Sequence, residues 1–182
     1  MLKQTKFQRI LIIGSSCAGK TTLATQLADN LNFPLIELDS LYWEPNWKQA
    51  ETGDFRTRVA QKMYDGKWIM DGNFFSKIGD MIDPDLFVWL DPPLPIVLWR
   101  FMNRTFQRIF SRELLWGHSR ENLKNSVFSQ NSLLLWIVKT RIRKAEFYRE
   151  LMKSPPNGAG TIRLSSERDI KEFLASFRTA EQ

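Results

Sequence analysis

Residues 14–21 read GSSCAGKT, the spacing G-x-x-x-x-G-K-[ST] of a loop that cradles phosphates. Gly14 and Gly19 let the backbone curl with no Cβ in the way, so successive N–H groups can point inward at an anion. Lys20 adds a positive charge facing the β- and γ-phosphates, and the Thr21 hydroxyl suits a magnesium ion. The expected nucleotide-binding set is Gly14, Ser15, Ser16, Cys17, Ala18, Gly19, Lys20, Thr21 and Thr22. Context separates the motif from a chance match. Residues 10–13 are an apolar run of the kind found in buried strands, and Leu23, Ala24, Leu27, Ala28 and Leu31 recur at helical spacing after it. An anion held there also meets the positive end of a helix dipole.

Transfer of a phosphoryl group asks for positioning, a metal and cations on the moving group. Asp39 in IELDS and Asp71 in WIMDGN each follow an apolar run that would hold a carboxylate rigidly, and Asp91, before Pro92-Pro93, is a third candidate. An Asp in such a place also serves as a turn former or helix cap. Arg100, Arg104, Arg108 and Arg112 recur every fourth residue opposite Val97, Phe101, Met102, Thr105 and Ile109. Such rows are commonly solvated helix faces, which suits Arg108 and Arg112. Arg100 and Arg104 begin closer to the preceding strand and can reach phosphates. Arg120, Arg141 and Arg143 form a second basic group, able to bracket a nucleotide when a flap closes. Tyr42, Trp43 and Trp47 fit either stacking on a planar acceptor or a small satellite core. One His, His118, and one Cys, Cys17, are too few for a zinc site, and Cys17 occupies a variable place of the loop.

These residues need a scaffold, and the pattern supplies one. Strands are expected over residues 10–13, 35–39, 67–71, 86–90 and 161–164, with helices over 23–31 and 54–64. Residues 94–153 read as a long helical stretch interrupted near Trp116-Gly117-His118-Ser119 and closed by the Ser/Pro/Asn/Gly cluster at 154–158. Ser166 with Asp169 is a capping box for a last helix. Alternating strands and helices imply an α/β fold with a largely parallel sheet. Ligands of such sheets bind at the carboxyl ends of the strands, where Gly14, Asp39, Asp71 and Asp91 would converge.

A length of 182 residues and 43% hydrophobic composition suit one compact domain with its own core. No apolar run is long enough to cross a membrane, and the apolar stretch after Lys3, Lys6 and Arg9 is too short for a signal peptide. With a single cysteine, these features point to the cytoplasm. The net charge of +6 is compatible with a nucleic-acid partner and equally with a protein that grips a triphosphate and an anionic second substrate. A nucleic-acid-associated regulatory NTPase is therefore the alternative to a small-molecule kinase. A nucleotide-binding module without turnover is a third reading, opposed by intact Lys20-Thr21 and the strand-end carboxylates. The sequence has no N-K-x-D for guanine and no L-S-G-G-Q, which leaves ATP as the donor.

GSSCAGKTTLA, LDSLYWEPNW, WIMDGNFF, VWLDPP and RENLKNSVFSQNSLLLW together resemble the adenylate-kinase-like branch of P-loop kinases. Within that branch the narrower segments are similar to the bacterial DNA topology modulation protein family. The resemblance covers roughly residues 9–150. It implies a three-layer α/β/α P-loop domain with a five-stranded parallel sheet, an acceptor-binding region at about 40–65 and an Arg-bearing helical lid at about 100–128. It also implies that Asp71, standing where D-G-F-P-R has its Asp, helps to hold Mg²⁺ with Thr21. Asp39 falls where shikimate-type and gluconate-type kinases carry an acceptor-binding aspartate. Where D-G-F-P-R supplies an Arg for a nucleoside monophosphate, this chain has Asn73, Phe74 and Phe75. The expectation is an ATP- and Mg²⁺-dependent kinase of a small molecule, a nucleotide or nucleoside first. Lys20, Asp39, Arg100 and Arg104 would be its catalytic residues.

Overall fold

The computed structural model describes residues 7–111, 114–115, 119–120 and 133–178, without the side chains of 108–138 and 142. Five parallel strands, β1 (Arg9–Gly14), β2 (Leu35–Glu37), β5 (Trp68–Asp71), β6 (Leu86–Leu90) and β9 (Gly160–Leu164), form one sheet in the order β2-β5-β1-β6-β9. Along β1 successive side chains alternate between faces. Ile10 and Ile12 pack against Leu23 and Leu27 of α1 (Lys20–Leu31) and Phe173 and Phe177 of α7 (Glu167–Arg178). Leu11 and Ile13 pack on the other side, with Phe55 and Val59 of α3 (Thr52–Lys62) and Tyr148 and Leu151 of α6 (Leu133–Lys153). The product is the expected helix, sheet, helix sandwich. Burial of both faces explains why β1, β5 and β6 read as apolar runs and not as alternating ones. The capping box also forms: Ser166 Oγ accepts from the Asp169 amide at 3.1 Å, and Asp169 Oδ2 accepts from the Ser166 amide at 2.9 Å.

The second strand stops earlier than expected. It ends at Glu37, and Leu38–Tyr42 turns into a short helix, α2, so Asp39 lies in a first helical turn and not at a strand end. Leu38 is fully buried, which draws the chain inward, and the Ser40 hydroxyl donates to the Glu37 carbonyl at 2.7 Å at the point of departure. Helix α3 starts two residues before the expected 54, because the Glu51 side chain accepts from the Gly53 amide at 2.9 Å and caps it there. The connection between α2 and α3 carries a small antiparallel ladder, β3 (Trp43–Glu44) with β4 (Lys48–Gln49), around a turn at Pro45–Trp47. A short helix, α4 (Phe75–Ile78), follows β5.

The long helical stretch is two helices, α5 (Leu94–Ser111) and α6. Between them β7 (Leu114–Leu115) pairs with β8 (Ser119–Arg120), and β8 lies against the Pro45–Trp47 turn. The remainder of the expected lid, with Arg112, Gly117 and His118, is outside the described residues, as are the side chains of Arg108 and Arg120. Among the described residues, no helix is long and apolar enough to cross a membrane.

Candidate active site

Residues 14–19 leave the end of β1 and curl into the first turn of α1. Gly14 has φ 150°, and a Cβ there would come within 2.4 Å of the Leu90 carbonyl oxygen on the neighbouring strand. Gly19, at φ 102°, is the residue from which α1 starts. The curl is closed by two donors to the Ser15 carbonyl, the Ala18 amide and Lys20 Nζ, each at 3.2 Å. No acidic residue occupies the first turn of α1, so the positive end of its dipole is left for an anion. The Ser15 hydroxyl oxygen is buried with no partner among the described residues.

Asn73 holds the loop at its root. Its Oδ1 accepts from the Gly14 amide at 3.1 Å and its Nδ2 donates to the Gly14 carbonyl at 2.6 Å. The Tyr148 hydroxyl of α6 donates to the same Oδ1 at 2.9 Å. Tyr148 is 4% exposed, and burial pushes its ionisation well above the usual tyrosine value, so it acts as a neutral donor.

The carboxylates gather beside Lys20. Asp71, 5% exposed, accepts at Oδ2 from the Thr21 hydroxyl at 2.6 Å, while its Oδ1 is buried without a partner among the described residues. Burial raises the Asp71 pKa, Lys20 and the Thr21 hydrogen bond oppose that rise, and Asp39 adds to it. Glu37 is the register partner of Asp71 on the adjacent parallel strand. Its pKa is raised by burial and then by the charges of Asp71 and Asp39. Lys144 of α6 completes the group: burial and repulsion from Lys20 lower its pKa, and attraction to Asp39 offsets part of that.

Helix α6 faces the loop with Arg141, Lys144, Ala145 and Tyr148, spaced as one helical face. With Ser15, Ser16, Asn73, Trp89, Asp91 and Thr140 they line a cavity of about 20 Å³, room for one water. Asp91 is engaged structurally. Its Oδ1 accepts from Arg141 Nη2 at 2.8 Å, and its Oδ2 from Arg163 Nε and Nη2 at 3.1 and 2.5 Å. Arg141 Nη1 is buried and without a partner among the described residues. Arg143 is exposed.

Arg100 reaches the loop from outside it. Its Nη1 donates to the Ala18 carbonyl at 2.9 Å, and its Nη2 bonds Glu167 at 3.2 Å. Arg104, one turn on, has a buried Nε with no partner among the described residues. Cys17 is half-buried at φ 61° and packs on Val97 and Phe101 of α5, and Thr22 is exposed on α1.

On the other flank Tyr42, Phe55 and Phe74 form an aromatic cluster with centroids 4.6–5.2 Å apart. Trp43 touches Tyr42 edge-on and meets Trp47, which is 40% exposed, at 5.8 Å. Tyr42 is thus core, and Trp47 is the aromatic that retains an open surface.

Sequence reasoning missed Glu37, Lys144, Tyr148 and the clamp made by Asn73. Strand pairing could have exposed Glu37, two residues before Asp39 on the same strand as its apolar neighbours. The 141-144-148 spacing marks one face of a helix, but nothing in it says which loop that face meets.

Comparison with known proteins bears on the fold. No protein-family model matches the sequence, and no curated protein does. Solved structures do. A shikimate kinase from Bacteroides thetaiotaomicron matches with TM-score 0.55 and 17% identity over 95% of this chain and 97% of that one. A deoxyadenosine kinase from M. mycoides matches with TM-score 0.57 and 11% identity over 93% and 98%. A sugar kinase from Janibacter sp. HTCC2649 matches with TM-score 0.53 and 16% identity over 95% of each chain. The fold is that of the P-loop kinases.

Proposed function

We propose that the protein is an ATP-dependent phosphotransferase of a small molecule, working from the loop at 14–22, and that it belongs with the DNA topology modulation proteins of the adenylate-kinase-like branch in the cytoplasm. The observation that carries this reading is the Thr21–Asp71 pair beside Lys20: a buried carboxylate with one oxygen that has no partner among the described residues, at the mouth of a phosphate loop. That oxygen and the Thr21 hydroxyl are the hard donors magnesium takes. Magnesium usually takes one or two protein donors and completes its shell with phosphates and water. Magnesium held there would neutralise charge on the β- and γ-phosphates.

The chain's own residues divide the remaining work. Loop amides and Lys20 bind the triphosphate and stabilise the charge that builds on the moving group. Asp39 orients the acceptor and takes its proton. Arg141 and Lys144 of α6 face the loop across the cavity and would draw toward the phosphates. Arg104, whose buried Nε has no partner among the described residues, does so from α5, while Arg100 braces the loop through the Ala18 carbonyl. Residues 40–65 supply the acceptor region and residues 100–128 the lid.

Titration calorimetry with Mg-ATP on the wild type and Lys20→Ala tests the proposal. Lys20 Nζ donates to the loop's own Ser15 carbonyl and acts otherwise through its charge on Asp71 and Lys144, so the variant should fold normally and lose most affinity and turnover. Unchanged affinity and unchanged turnover would sink it.

A further inference from the structure

The two flanks of the site differ in charge. On the phosphate flank stand Arg141 and the α1 N-terminus, and Lys20 and Lys144 stand between that flank and the carboxylates. At the ends of β2 and β5 stand Glu37 and Asp71, in direct register on neighbouring strands, and Asp39 follows in the first turn of α2. They do not form a metal cage among the described residues. Asp71 is turned to the Thr21 hydroxyl at 2.6 Å and drawn to Lys20, which leaves Glu37 and Asp39, each repelling the other's charge, on the acceptor side. An anion brought to this flank would add to that repulsion.

Among the described side chains of the surrounding acceptor region, those of Arg56, Arg58, Lys48 and Lys77 are turned to internal partners. Arg56 holds both oxygens of Asp80, each at 2.7 Å, and the Lys77 carbonyl. Arg58 holds Glu44 at 2.9 Å and the Leu41 carbonyl at 3.1 Å. Lys48 pairs with Glu44 at 3.6 Å, and Lys77 lies over the Tyr42 ring at 5.4 Å. Lys62 borders a groove with Glu37 and Ser40 at the outer edge of β2. Phe74 and Phe75, which follow Asn73, are packed on Tyr42, Phe55 and Phe87 and leave that stretch of wall apolar.

We infer that the phosphate acceptor is a hydroxyl group on a molecule that is uncharged or positively charged, a polyol, sugar, nucleoside or amino alcohol, and not a phosphomonoester or carboxylate. This rests on the phosphotransferase reading above. Carboxylates that accept hydrogen bonds from hydroxyls orient such a molecule, and Glu37 becomes a specificity residue beside Asp39. In the transfer, the acceptor oxygen bonds the γ-phosphorus as the bond from that phosphorus to the β-phosphate's bridging oxygen breaks. The bonding pair leaves with ADP, and the hydroxyl proton passes to the Asp39 carboxylate and then to water. The products are a phosphate monoester and ADP.

The test has a binding arm and a turnover arm. AMP is titrated into Mg-ADP-saturated wild type, Glu37→Gln and Asp39→Asn, so that the loop is filled and AMP probes the acceptor flank. Removing one negative charge should tighten AMP binding about tenfold in either variant. AMP affinity that is the same in all three proteins, including no binding in any, overturns the inference. In the turnover arm Mg-ATP is offered with nucleosides and polyols and with their monophosphates, and phosphorylated product is read by mass spectrometry. The uncharged member of a pair should be used at least tenfold better in kcat/KM, and preference for the monophosphate overturns the inference. Mg-ATP titration of wild type and Lys20→Ala runs alongside. Lys20-dependent ATP binding with AMP as the preferred acceptor refutes the substrate class alone, whereas loss of the Lys20 dependence refutes the phosphotransferase reading itself.

Discussion

Replacing Asn73 with Ala should separate the loop from the helix that faces it, and the structure fixes how much is lost. The side chain makes three hydrogen bonds, two to the Gly14 peptide groups and one to the Tyr148 hydroxyl. Alanine leaves an amide, a carbonyl and a buried phenol unpaired at once. Each such orphan costs about 1–3 kcal/mol when dry and less where water enters, so a total near 3–5 kcal/mol is expected. A domain of this size has about 5–15 kcal/mol to lose, and the variant should remain folded at 25 °C with a clearly lowered urea midpoint. Tyr148→Phe is the graded control. It removes one bond and leaves Asn73 Oδ1 with the Gly14 amide, so about 1 kcal/mol should go. Because Gly14 opens the phosphate loop, Mg-ATP affinity should fall with Asn73→Ala and much less with Tyr148→Phe. Urea unfolding and titration calorimetry on both variants read the two effects. An Asn73→Ala protein within about 0.5 kcal/mol of wild type, binding Mg-ATP equally well, would refute the clamp, since that is the range of an ordinary surface substitution.

Three further outcomes are expected. Asp39→Asn should keep Mg-ATP affinity and slow hydrolysis to water while losing acceptor-dependent ADP release by about a hundredfold or more, the scale of a lost general base; equal loss of both rates would move Asp39 to the fold. Asp71→Asn should weaken metal-dependent ATP binding and be partly relieved by more Mg²⁺ or by Mn²⁺, and calorimetry at several metal concentrations checks it. Glu37→Gln should raise the Tm of the nucleotide-free protein at pH 7. The Glu37 pKa is raised by burial and by Asp71 and Asp39, so its folded state favours the proton, and stability falls as pH rises from the ordinary carboxylate value through the raised one. The gain should therefore vanish below pH 4, and a gain independent of pH would contradict the electrostatic cause.

The sheet was legible because its central strands β1, β5 and β6 are buried on both faces, and burial leaves runs such as ILII and LFVWL that few other structures need. Its limits were less so. Glu37, Leu38 and Asp39 continue an extended pattern in sequence, yet a buried Leu38 takes the backbone into α2, a tertiary demand that overrides local alternation. The helix at 52–62 was misplaced at its start for a smaller reason: Glu51 is not a common N-cap, and its side chain serves as one here.

Within the site the same contrast has a chemical origin. A phosphate is recognised chiefly by backbone amides, and consecutive amides must come from consecutive residues, so positions 14–21 announce their task in one short string. An acceptor is recognised by side chains, and side chains can converge from anywhere the fold allows. Glu37, Asp39 and Asp71 come from β2, α2 and β5, and Lys144 comes from a helix more than a hundred positions later than Glu37. What joins them is the strand register of Glu37 with Asp71 and the clamp from Tyr148 through Asn73 to Gly14, neither of which has a local signature. Asn73 shows this most clearly: read alone it is a turn residue after Asp-Gly, while in three dimensions it ties α6 to the root of the phosphate loop. The phosphate loop is thus written in the sequence, and an acceptor for the proposed transfer has to be argued from the side chains that the fold brings beside it.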